Sequence, residues 1–427
     1  MLRWSRKAPT ARAEAAGTGP AKRIEDLEHQ IGMQSEQPSK SFAASLATIT
    51  LIGPMAIHLY LPAMPVVKEA FGVTDALAGL AFSSALITMA IATLAYGSAA
   101  DNIGRRPALL TGLGLFLAGS VLCAIASDIW LLVAGRVVQA AGAGCSLTLV
   151  RTIARDAYGQ EHLVRAIAYL TMFYTMGPIF APLLGGILID HYGWRSIFAF
   201  AVITGLVVLI STVLFVPETR PDRPAKAAGE HWITAYRDLF AVPRFDLFIL
   251  QTGCNSSAFM VTATAASFIM QDNLGRAATE FGLYFAMIPT GFLIGSAISS
   301  RLSGRVRIET MVLAGATLLT SAVVVQAILL LSGVIHPLTL ALPGMFITMG
   351  NGLSMPSAQA GAMATVPRHA GTAAGIGVFV QMLMTGVVTQ IYGVFSNGTV
   401  YPLVVIAGVC AAGAMITGLL IFGMRRG

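Results

Sequence analysis

Twelve long apolar runs, separated by short polar loops, constrain this chain more than any other feature of its sequence. Only 11% of the 427 residues are charged and 56% are hydrophobic, whereas a soluble globular protein carries about 25% charged residues. Most of the folded surface therefore cannot face water. A membrane-spanning helix needs about 20 predominantly apolar residues, so the chain has room for roughly a dozen. Backbone polar groups in hydrocarbon must be bonded within their own segment, which makes these runs helices.

The sequence therefore predicts an all-α membrane protein with twelve transmembrane helices. Charged residues and clusters of Pro and Gly mark where each apolar run begins and ends. The predicted spans are 42–66, 78–100, 107–127, 129–151, 164–189, 195–216, 245–270, 279–300, 308–332, 337–361, 371–395 and 400–423.

A polar segment in the middle of the chain divides the spans into six and six. A Gly-Arg pair recurs after the second and the eighth span, at Gly104-Arg105 and Gly304-Arg305, which is typical of a duplicated bundle. We predict an N-terminal tail, 1–40, a six-helix bundle, 41–216, a cytoplasmic linker, 217–243, and a second six-helix bundle, 244–427. The tail is expected to be disordered, or else residues 1–32 precede a true start at Met33.

Lysine and arginine residues collect on one side of the predicted helices. If the N-terminus is cytoplasmic, the outward loops hold Lys68, Arg195 and Arg276, and the inward loops hold far more basic residues. This bias predicts that both termini are cytoplasmic. The net charge of +7 does not indicate nucleic-acid binding, because the basic residues form short clusters rather than one continuous face.

The loop after the second span combines a carboxylate, a glycine and two arginines. Asp101 precedes Arg105 and Arg106 by four and five residues, and Gly104 permits a tight turn. The carboxylate can pair with an arginine or with a helix N-terminus, forming a charge latch at the cytoplasmic mouth. The alternative is that the arginines only anchor the loop inside.

Small residues and prolines alternate in the fifth span, in the run Gly177-Pro178-Ile-Phe-Ala181-Pro182-Leu-Leu-Gly185-Gly186. Gly177, Ala181 and Gly185 form a smooth stripe that lets another helix approach closely. A matching stripe in the eighth span consists of Gly291, Gly295 and Ser299. We expect these two helices to cross between the halves, and we expect a bend at Pro178 and Pro182. Ordinary small-residue packing is the alternative.

These motifs resemble those of the major facilitator superfamily. The loop at 97–107 matches its signature loop, with Ala99 where the family commonly has Leu, and the run at 177–186 resembles its antiporter motif. Three further passages resemble the bicyclomycin and chloramphenicol resistance branch (Bcr/CflA), at residues 60–65, 150–156 and 193–198. The resemblance covers roughly residues 42–423. It implies two bundles around a midplane cavity in the bacterial inner membrane, and export driven by protons.

Two ionisable side chains are predicted to lie well inside the membrane, where each is a functional candidate. Arg136 lies ~9 Å and His58 ~12 Å below the outer boundary. The resemblance implies that the first and fourth spans line one cavity, so we expect the two side chains to face each other, with Gln139 extending the polar surface. Arg136 with Gln139 matches the family pattern associated with proton coupling.

His58 departs from that branch, which usually has an acidic residue before the Tyr-Leu-Pro passage. A histidine exchanges protons near neutrality, so we hypothesise that His58 titrates during transport. The alternatives are a neutral, substrate-binding His58, or a proton carried by Asp101 or a carboxylate at the cavity mouth.

Other polar and aromatic residues within spans are candidates for substrate contact or for packing between helices. They are Tyr60, Tyr174, Asn255, Asn351 and Gln381. The four cysteines lack metal-ligand spacing, and no phosphate-binding loop or nucleophile–base pair occurs in the sequence. We therefore expect no metal, no cofactor and no enzymatic activity, and a monomer whose partners are the bilayer, protons and a small molecule.

The leading hypothesis is a drug:proton antiporter that exports small amphipathic compounds by alternating access. Export or symport of a physiological metabolite is the alternative, since one scaffold serves many substrates. A membrane sensor without transport activity is a third hypothesis, disfavoured because the loops are short.

Overall fold

The computed structural model describes residues 39–220 and 237–424, which are almost entirely helical. Within these ranges no β-strand occurs. All but the last two residues of the predicted tail, and most of the predicted linker (221–236), lie outside the described residues. The described residues from 41 onward belong to one compact unit.

Twelve spans follow one another along the described part of the chain, as the sequence predicts. Most begin and end within a few residues of the predicted boundaries. In chain order, the first to twelfth spans are Lys40–His58 continued by Ala63–Phe71, Asp75–Ile103, Arg105–Ala124, Ile129–Tyr158, Arg165–Tyr192, Arg195–Phe215, Pro243–Phe268, Ala278–Leu302, Ile308–Leu331, Pro337–Thr365, Ala370–Phe395 and Tyr401–Gly423.

Two spans are more polar than the others. Ten helices in the described residues are long and apolar enough to cross a membrane by length and composition alone, and the seventh and tenth spans are not among them. The seventh carries Gln251 and Asn255, and the tenth carries Asn351. Polar side chains at membrane depth are tolerated where they face protein or a cavity. The seventh and tenth spans are therefore expected beside such a cavity.

The first span is interrupted, although the sequence predicts one helix over 42–66. The backbone N–H of Leu61 donates to the carbonyl of His58 (3.3 Å), and that of Ala63 donates to Tyr60 (2.9 Å), so turns replace the helix at 59–62. Pro62 has no N–H to give to a helical hydrogen bond. His58 consequently ends the first helical segment.

The fourth and fifth spans form a hairpin within one continuous helical stretch, Ile129–Tyr192. A straight helix would hold Val150 and Leu170 about 30 Å apart, yet both line the same small pocket. The chain therefore reverses direction between Tyr158 and Arg165. The hairpin brings two spans of one bundle alongside the first span.

Glycines permit close helix contacts within each bundle. A Cβ added at Gly119 would lie 2.1 Å from the backbone nitrogen of Gln139, and one at Gly291 would lie 1.9 Å from the carbonyl of Met345. Lipid tails are as apolar as leucine, so van der Waals contact between such small residues, rather than the hydrophobic effect, holds membrane helices together.

The third, sixth, ninth and twelfth spans lie at the periphery of the two bundles. They expose large apolar side chains, for example Ile203 at 62% and Val409 at 68%. An apolar surface of this extent would be an aggregation liability in water. In a bilayer it is the surface that contacts lipid.

Candidate functional site

A central cavity of about 990 Å³ lies between the two bundles. The first, second and fifth spans line it on one side, and the seventh, eighth, tenth and eleventh spans line it on the other. The more polar seventh and tenth spans are thus among its walls. A mostly apolar cavity with a few polar groups is typical of a small-molecule site.

His58 lines the central cavity at the point where the first span breaks. Its side chain is buried, and among the described residues the ring nitrogen Nδ1 has no hydrogen-bond partner. The ring lies 6.4 Å from that of Phe285, between centroids. A buried, unpartnered ring nitrogen at a cavity wall is available to bind a solute, a water molecule or a proton.

Arg136 does not share this cavity with His58, contrary to the prediction that the two side chains face each other. Its guanidinium donates to the carbonyls of Ala56 (2.7 Å) and Ala81 (3.1 Å) and to Oε1 of Gln139 (2.6 Å). Together with Gln139 it lines a separate, narrow pocket inside the first bundle. These carbonyls draw the guanidinium into the bundle and away from the space between the bundles.

Tyr60 belongs to the Arg136 pocket rather than to the substrate cavity in which the sequence places it. Its ring lies 4.7 Å from the Arg136 guanidinium carbon, a cation–π contact, and its hydroxyl donates to the carbonyl of Ala78 (3.3 Å). No carboxylate pairs with Arg136 among the described residues. Carbonyls, an amide and a ring therefore solvate this buried cation.

Three of the predicted contact residues, Tyr174, Asn351 and Gln381, do line the central cavity. Asn255 does not, because it is fully buried inside the second bundle, where its amide donates to the hydroxyl of Ser354 (2.6 Å). The sequence indicates how deep a residue lies along a membrane helix, but not which face of the helix a single amide occupies. The assignment of Asn255 to the cavity is wrong for this reason.

The cavity also contains residues that the sequence analysis does not single out. Ser256 and Phe259 face it from the seventh span, and Phe292 faces it from the eighth. The Ser256 hydroxyl is buried and has no hydrogen-bond partner in the part of the chain that the structure describes. The low hydropathy of the seventh span is the sequence signal that points to this wall.

The loop after the second span forms a charge cluster, as predicted, with one additional member. Nη1 of Arg105 lies 2.6 Å from Asp101, and its Nε lies 3.1 Å from Asp156, at the end of the fourth span. Gly104 has φ +102°, a value that favours glycine. Arg106 donates to the carbonyl of Val213 (2.7 Å) instead of to Asp101. The cluster ties the second, third and fourth spans together.

Glu218, which follows the sixth span, accepts hydrogen bonds from four backbone N–H groups. The backbone N–H groups of Arg105 and Arg106, at the start of the third span, donate to the Glu218 carboxylate at 2.9 and 3.1 Å. The backbone N–H groups of Thr219 and Arg220 donate to it at 3.0 and 2.9 Å. Partial burial alone would raise the pKa of this carboxyl, but the four N–H groups outweigh it and hold the pKa below its ordinary value. Glu218 is therefore the anion at the helix N-terminus, a role that the sequence analysis considers for Asp101.

The two small-residue stripes pack within their own bundles, although the fifth and eighth spans do cross between the halves as predicted. Cβ atoms added at Gly177 and Gly185 would approach Pro54 and the carbonyl of Leu59, both in the first span. Cβ atoms added at Gly291 and Gly295, in the eighth-span stripe, would approach backbone carbonyls of the tenth span. The fifth and eighth spans do meet, through Gly186, where an added Cβ would lie 2.3 Å from the carbonyl of Ala278.

The antiporter-motif residues thus have separate roles in the structure. Gly186 carries the contact between bundles, Gly177 and Gly185 carry contacts with the first span, and Pro178 lines the central cavity. Helical structure continues through Pro178 and Pro182.

Hydrogen bonds and ion pairs join the two bundles at the end of the spans that contains Lys68, called here the Lys68 end. Lys68 Nζ lies 2.8 Å from Asp75 in its own bundle and 2.6 Å from Asp272 in the other. Asp190 accepts from the backbone N–H groups of Ala278 (3.2 Å) and Thr279 (2.8 Å) across the same gap. Charged hydrogen bonds of this kind are stronger than neutral ones.

Neutral hydrogen bonds continue this junction toward the cavity. The Ser267 hydroxyl donates to the carbonyl of Leu61 (2.7 Å), and the Ser83 hydroxyl donates to Gln390 Oε1 (2.6 Å). The cavity is therefore closed at the Lys68 end.

The second and eleventh spans diverge toward the opposite end, called here the Arg105 end. A Cβ added at Gly386 would lie 2.7 Å from Ile87, whereas one at Gly375 would lie 3.9 Å from Leu94, and one at Gly371 would have nothing within 4 Å. The contact between the bundles thus loosens beyond the cavity.

Two proteins named as multidrug resistance proteins are similar to this chain, one over most of its length and one over less than half. It is 27% identical over 347 residues to "Multidrug resistance protein D" of Escherichia coli (strain K12), which covers 81% of this chain and 86% of that protein. A shorter match, 33% identical over 177 residues, is to "Multidrug resistance protein MdtL" of Escherichia coli O81 (strain ED1a), covering 42% and 45% of the two chains.

A solved structure supports the same fold. A mutant of the peptide transporter POT in complex with alafosfalin superposes with a TM-score of 0.72 over 93% of this chain and 98% of that one, at 16% identity. The family model of the Major Facilitator Superfamily matches residues 46–389. The twelve helices, the cavity between two bundles and this match together show that the chain is a multi-pass membrane transporter of the Major Facilitator Superfamily.

Proposed function

We propose that the chain is a proton-driven exporter of small amphipathic, drug-like molecules in the bacterial inner membrane. The central cavity is the observation that carries this proposal, because it combines apolar and aromatic walls with one histidine and a few amides and hydroxyls. Such walls bind amphipathic solutes without demanding one precise shape. The resistance proteins among its relatives and the resemblance to the Bcr/CflA branch support export over uptake.

The Arg105 end is proposed to face the cytoplasm, with both termini on that side, because the basic residues collect there. The described conformation then has its cavity closed to the outside. Transport requires the Lys68 end to separate while the Arg105 end closes, as the bundles rock about the cavity. We propose that the Asp101–Arg105–Asp156 cluster and Glu218 stabilise the cytoplasmic gate, and that the protein acts as a monomer.

Proton exchange is proposed to occur at His58. In the described residues it is the histidine that lines the central cavity, and protons and solute would compete there for one site. Arg136 and Gln139 are proposed to support coupling from the adjoining pocket, because Arg136 binds the carbonyl of Ala56, two residues before His58. The alternatives remain a His58 that binds substrate only, and a proton carried by a carboxylate at the cavity mouth.

A susceptibility panel in an efflux-deficient bacterial host tests the export proposal. Expression of the chain is expected to raise the inhibitory concentration of some amphipathic drugs, with chloramphenicol in the panel, and to lower their accumulation in cells. The cavity-filling variant Ser256→Phe, matched for membrane expression, is expected to abolish the effect. A panel without any protected compound would favour a metabolite transporter, the second candidate that the same scaffold allows.

The variant His58→Gln tests the proton site. Glutamine keeps a hydrogen-bonding side chain of similar size but does not titrate. In inverted vesicles we expect this variant to bind drug while losing drug movement against its gradient. Full proton-coupled transport by His58→Gln would exclude His58 as the carrier.

A further inference from the structure

The described walls of the central cavity contain no permanently charged side chain. Of the described residues that line it, His58 and Tyr174 are the only titratable ones, and no Asp, Glu, Lys or Arg is among them. Methionines supply much of the surface, at positions 89, 260, 355 and 382. Unbranched thioethers adapt to solutes of different shape. The cavity therefore offers adaptable apolar contact without a counterion.

The charged side chains in the pockets beside the cavity are both positive. The exposed Arg151 lines a narrow pocket that shares Tyr174 with the cavity, and Arg136 lines the pocket behind the first span. Neither pocket has a carboxylate among its described lining residues. In the described part of the chain, the cavity wall and these pockets therefore supply no carboxylate that could pair with a cationic solute.

Three buried polar atoms at the cavity wall lack a hydrogen-bond partner in the described protein. They are Nδ1 of His58, Oγ of Ser256 and Oδ1 of Asn351. Burying such groups without a partner is unfavourable, so a ligand that bonds to them gains affinity. They come from the first, seventh and tenth spans and therefore surround the space that a ligand would fill.

This arrangement discriminates by charge. A cation that enters a cavity of low dielectric loses hydration and normally needs a carboxylate to replace it. Here it would find no carboxylate among the described wall residues, and cation–π contact with Phe259 or Phe292 would recover only part of the lost hydration. An uncharged solute avoids this cost and can satisfy the three unpartnered atoms.

We infer that the central cavity selects uncharged amphipathic molecules with hydrogen-bonding groups and rejects lipophilic cations of the same size. The inference rests on the proposed function and names the substrate class of the same site.

Two probes that share one framework test the inference. Triphenylphosphine oxide is neutral and accepts hydrogen bonds, and methyltriphenylphosphonium is a permanent cation of similar size. Equilibrium dialysis of the full chain in neutral detergent, with empty micelles as the blank, measures both dissociation constants. We expect the oxide to bind at least about tenfold more tightly. Equal or tighter binding of the phosphonium, or binding of neither probe, would overturn the inference.

A pair of nearly isosteric variants locates the selectivity in the cavity. Ser256→Asp adds a carboxylate to the wall, and Ser256→Asn adds a neutral group of the same shape. At pH 8 the Asp variant is expected to bind methyltriphenylphosphonium at least about tenfold more tightly than the Asn variant. Binding of triphenylphosphine oxide should differ less than about threefold between them. Indistinguishable binding of the phosphonium by two folded variants would contradict the inference, and if either variant fails to fold, the wild-type comparison decides.

These measurements need no proton gradient, so they are independent of the export proposal. Coupled export of cations in preference to neutral solutes would overturn the charge selectivity alone. Selective binding of the neutral probe without any coupled transport would overturn the proposed function alone.

Discussion

Replacing Lys68 is expected to weaken the closure of the Lys68 end. The lysine holds Asp75 of its own bundle and Asp272 of the other, each within 3 Å. The variant Lys68→Met removes both ion pairs, including the one with Asp272 that crosses between the bundles. It leaves the two carboxylates facing each other without a cation. We therefore expect the bundles to separate more readily at this end.

The size of the effect follows from the type of contact and its exposure. A hydrogen bond between charged groups contributes about 1.5–3 kcal/mol, and partial exposure of the lysine and of Asp272, at 30% and 22%, favours the lower value. A loss of about 1.5 kcal/mol shifts the ratio of closed to open molecules roughly tenfold.

Spin labels on the two bundles measure this ratio. The exposed residues Ala70 and Ala277 lie at the Lys68 end on different bundles, and the substitutions Ala70→Cys and Ala277→Cys provide the labelling sites. The four native cysteines are first replaced by alanine. Pulsed electron paramagnetic resonance should show a new long-distance population in Lys68→Met.

Two controls isolate the contact between bundles. Lys68→Arg keeps the positive charge and should keep the short distance. Arg276→Met removes another cation at the same end, but one that pairs with Glu280 in its own bundle (3.4 Å), so it should leave the distances unchanged. An unchanged distribution in Lys68→Met, or an equal shift in Arg276→Met, would refute the assignment of Lys68 to the closure.

Three further predictions concern the gate and the contact between bundles. Glu218→Gln should lower the stability of the detergent-purified protein by about 1–2 kcal/mol at pH 7, because a neutral amide accepts N–H groups less strongly. The pKa of the Glu218 carboxyl is lowered in the folded protein, so its contribution is present above the unfolded pKa and is lost as pH falls through the folded pKa. The thermal midpoints of the two proteins should therefore converge as pH falls through the folded pKa. Gly186→Ala would place a Cβ 2.3 Å from the Ala278 carbonyl, so it should open the Lys68 end in the same spin-label assay, and an unchanged distance would contradict the contact. Asp156→Asn should reduce drug export more than Arg155→Gln, a neighbouring exposed cation, because only the former weakens the buried Arg105 pairing; equal export by both variants would argue against a gate role.

The spans and the charged loop after the second span are the features most accessible to sequence reasoning. Hydrophobic length determines the spans because hydrocarbon admits helices without exposed backbone groups. The charged loop is accessible because Asp101, Gly104 and Arg105 are near neighbours along the chain, so local geometry places them together. The structure adds Asp156 and Glu218, which reach Arg105 across 51 and 113 positions.

The cavity wall was only partly predictable, since facing direction depends on packing. His58 and Arg136 have similar predicted depths, yet carbonyl acceptors draw Arg136 into the bundle and leave His58 at the cavity. Asn255 turns inward in the same way, toward Ser354. The contact between Lys68 and Asp272 joins residues 204 positions apart, and nothing in the single sequence indicates it.

Proton movement in inverted vesicles tests the central claim most directly. Vesicles that contain the chain are given an acidic interior, reported by a quenched pH-sensitive dye, and chloramphenicol is then added outside, on the face that corresponds to the cytoplasm. Drug:proton antiport predicts that protons leave the interior as drug enters, so fluorescence recovers, and recovery should be absent with the cavity-filling Ser256→Phe chain. Further acidification together with drug uptake would indicate symport, and no response to any compound that the chain binds would contradict the account.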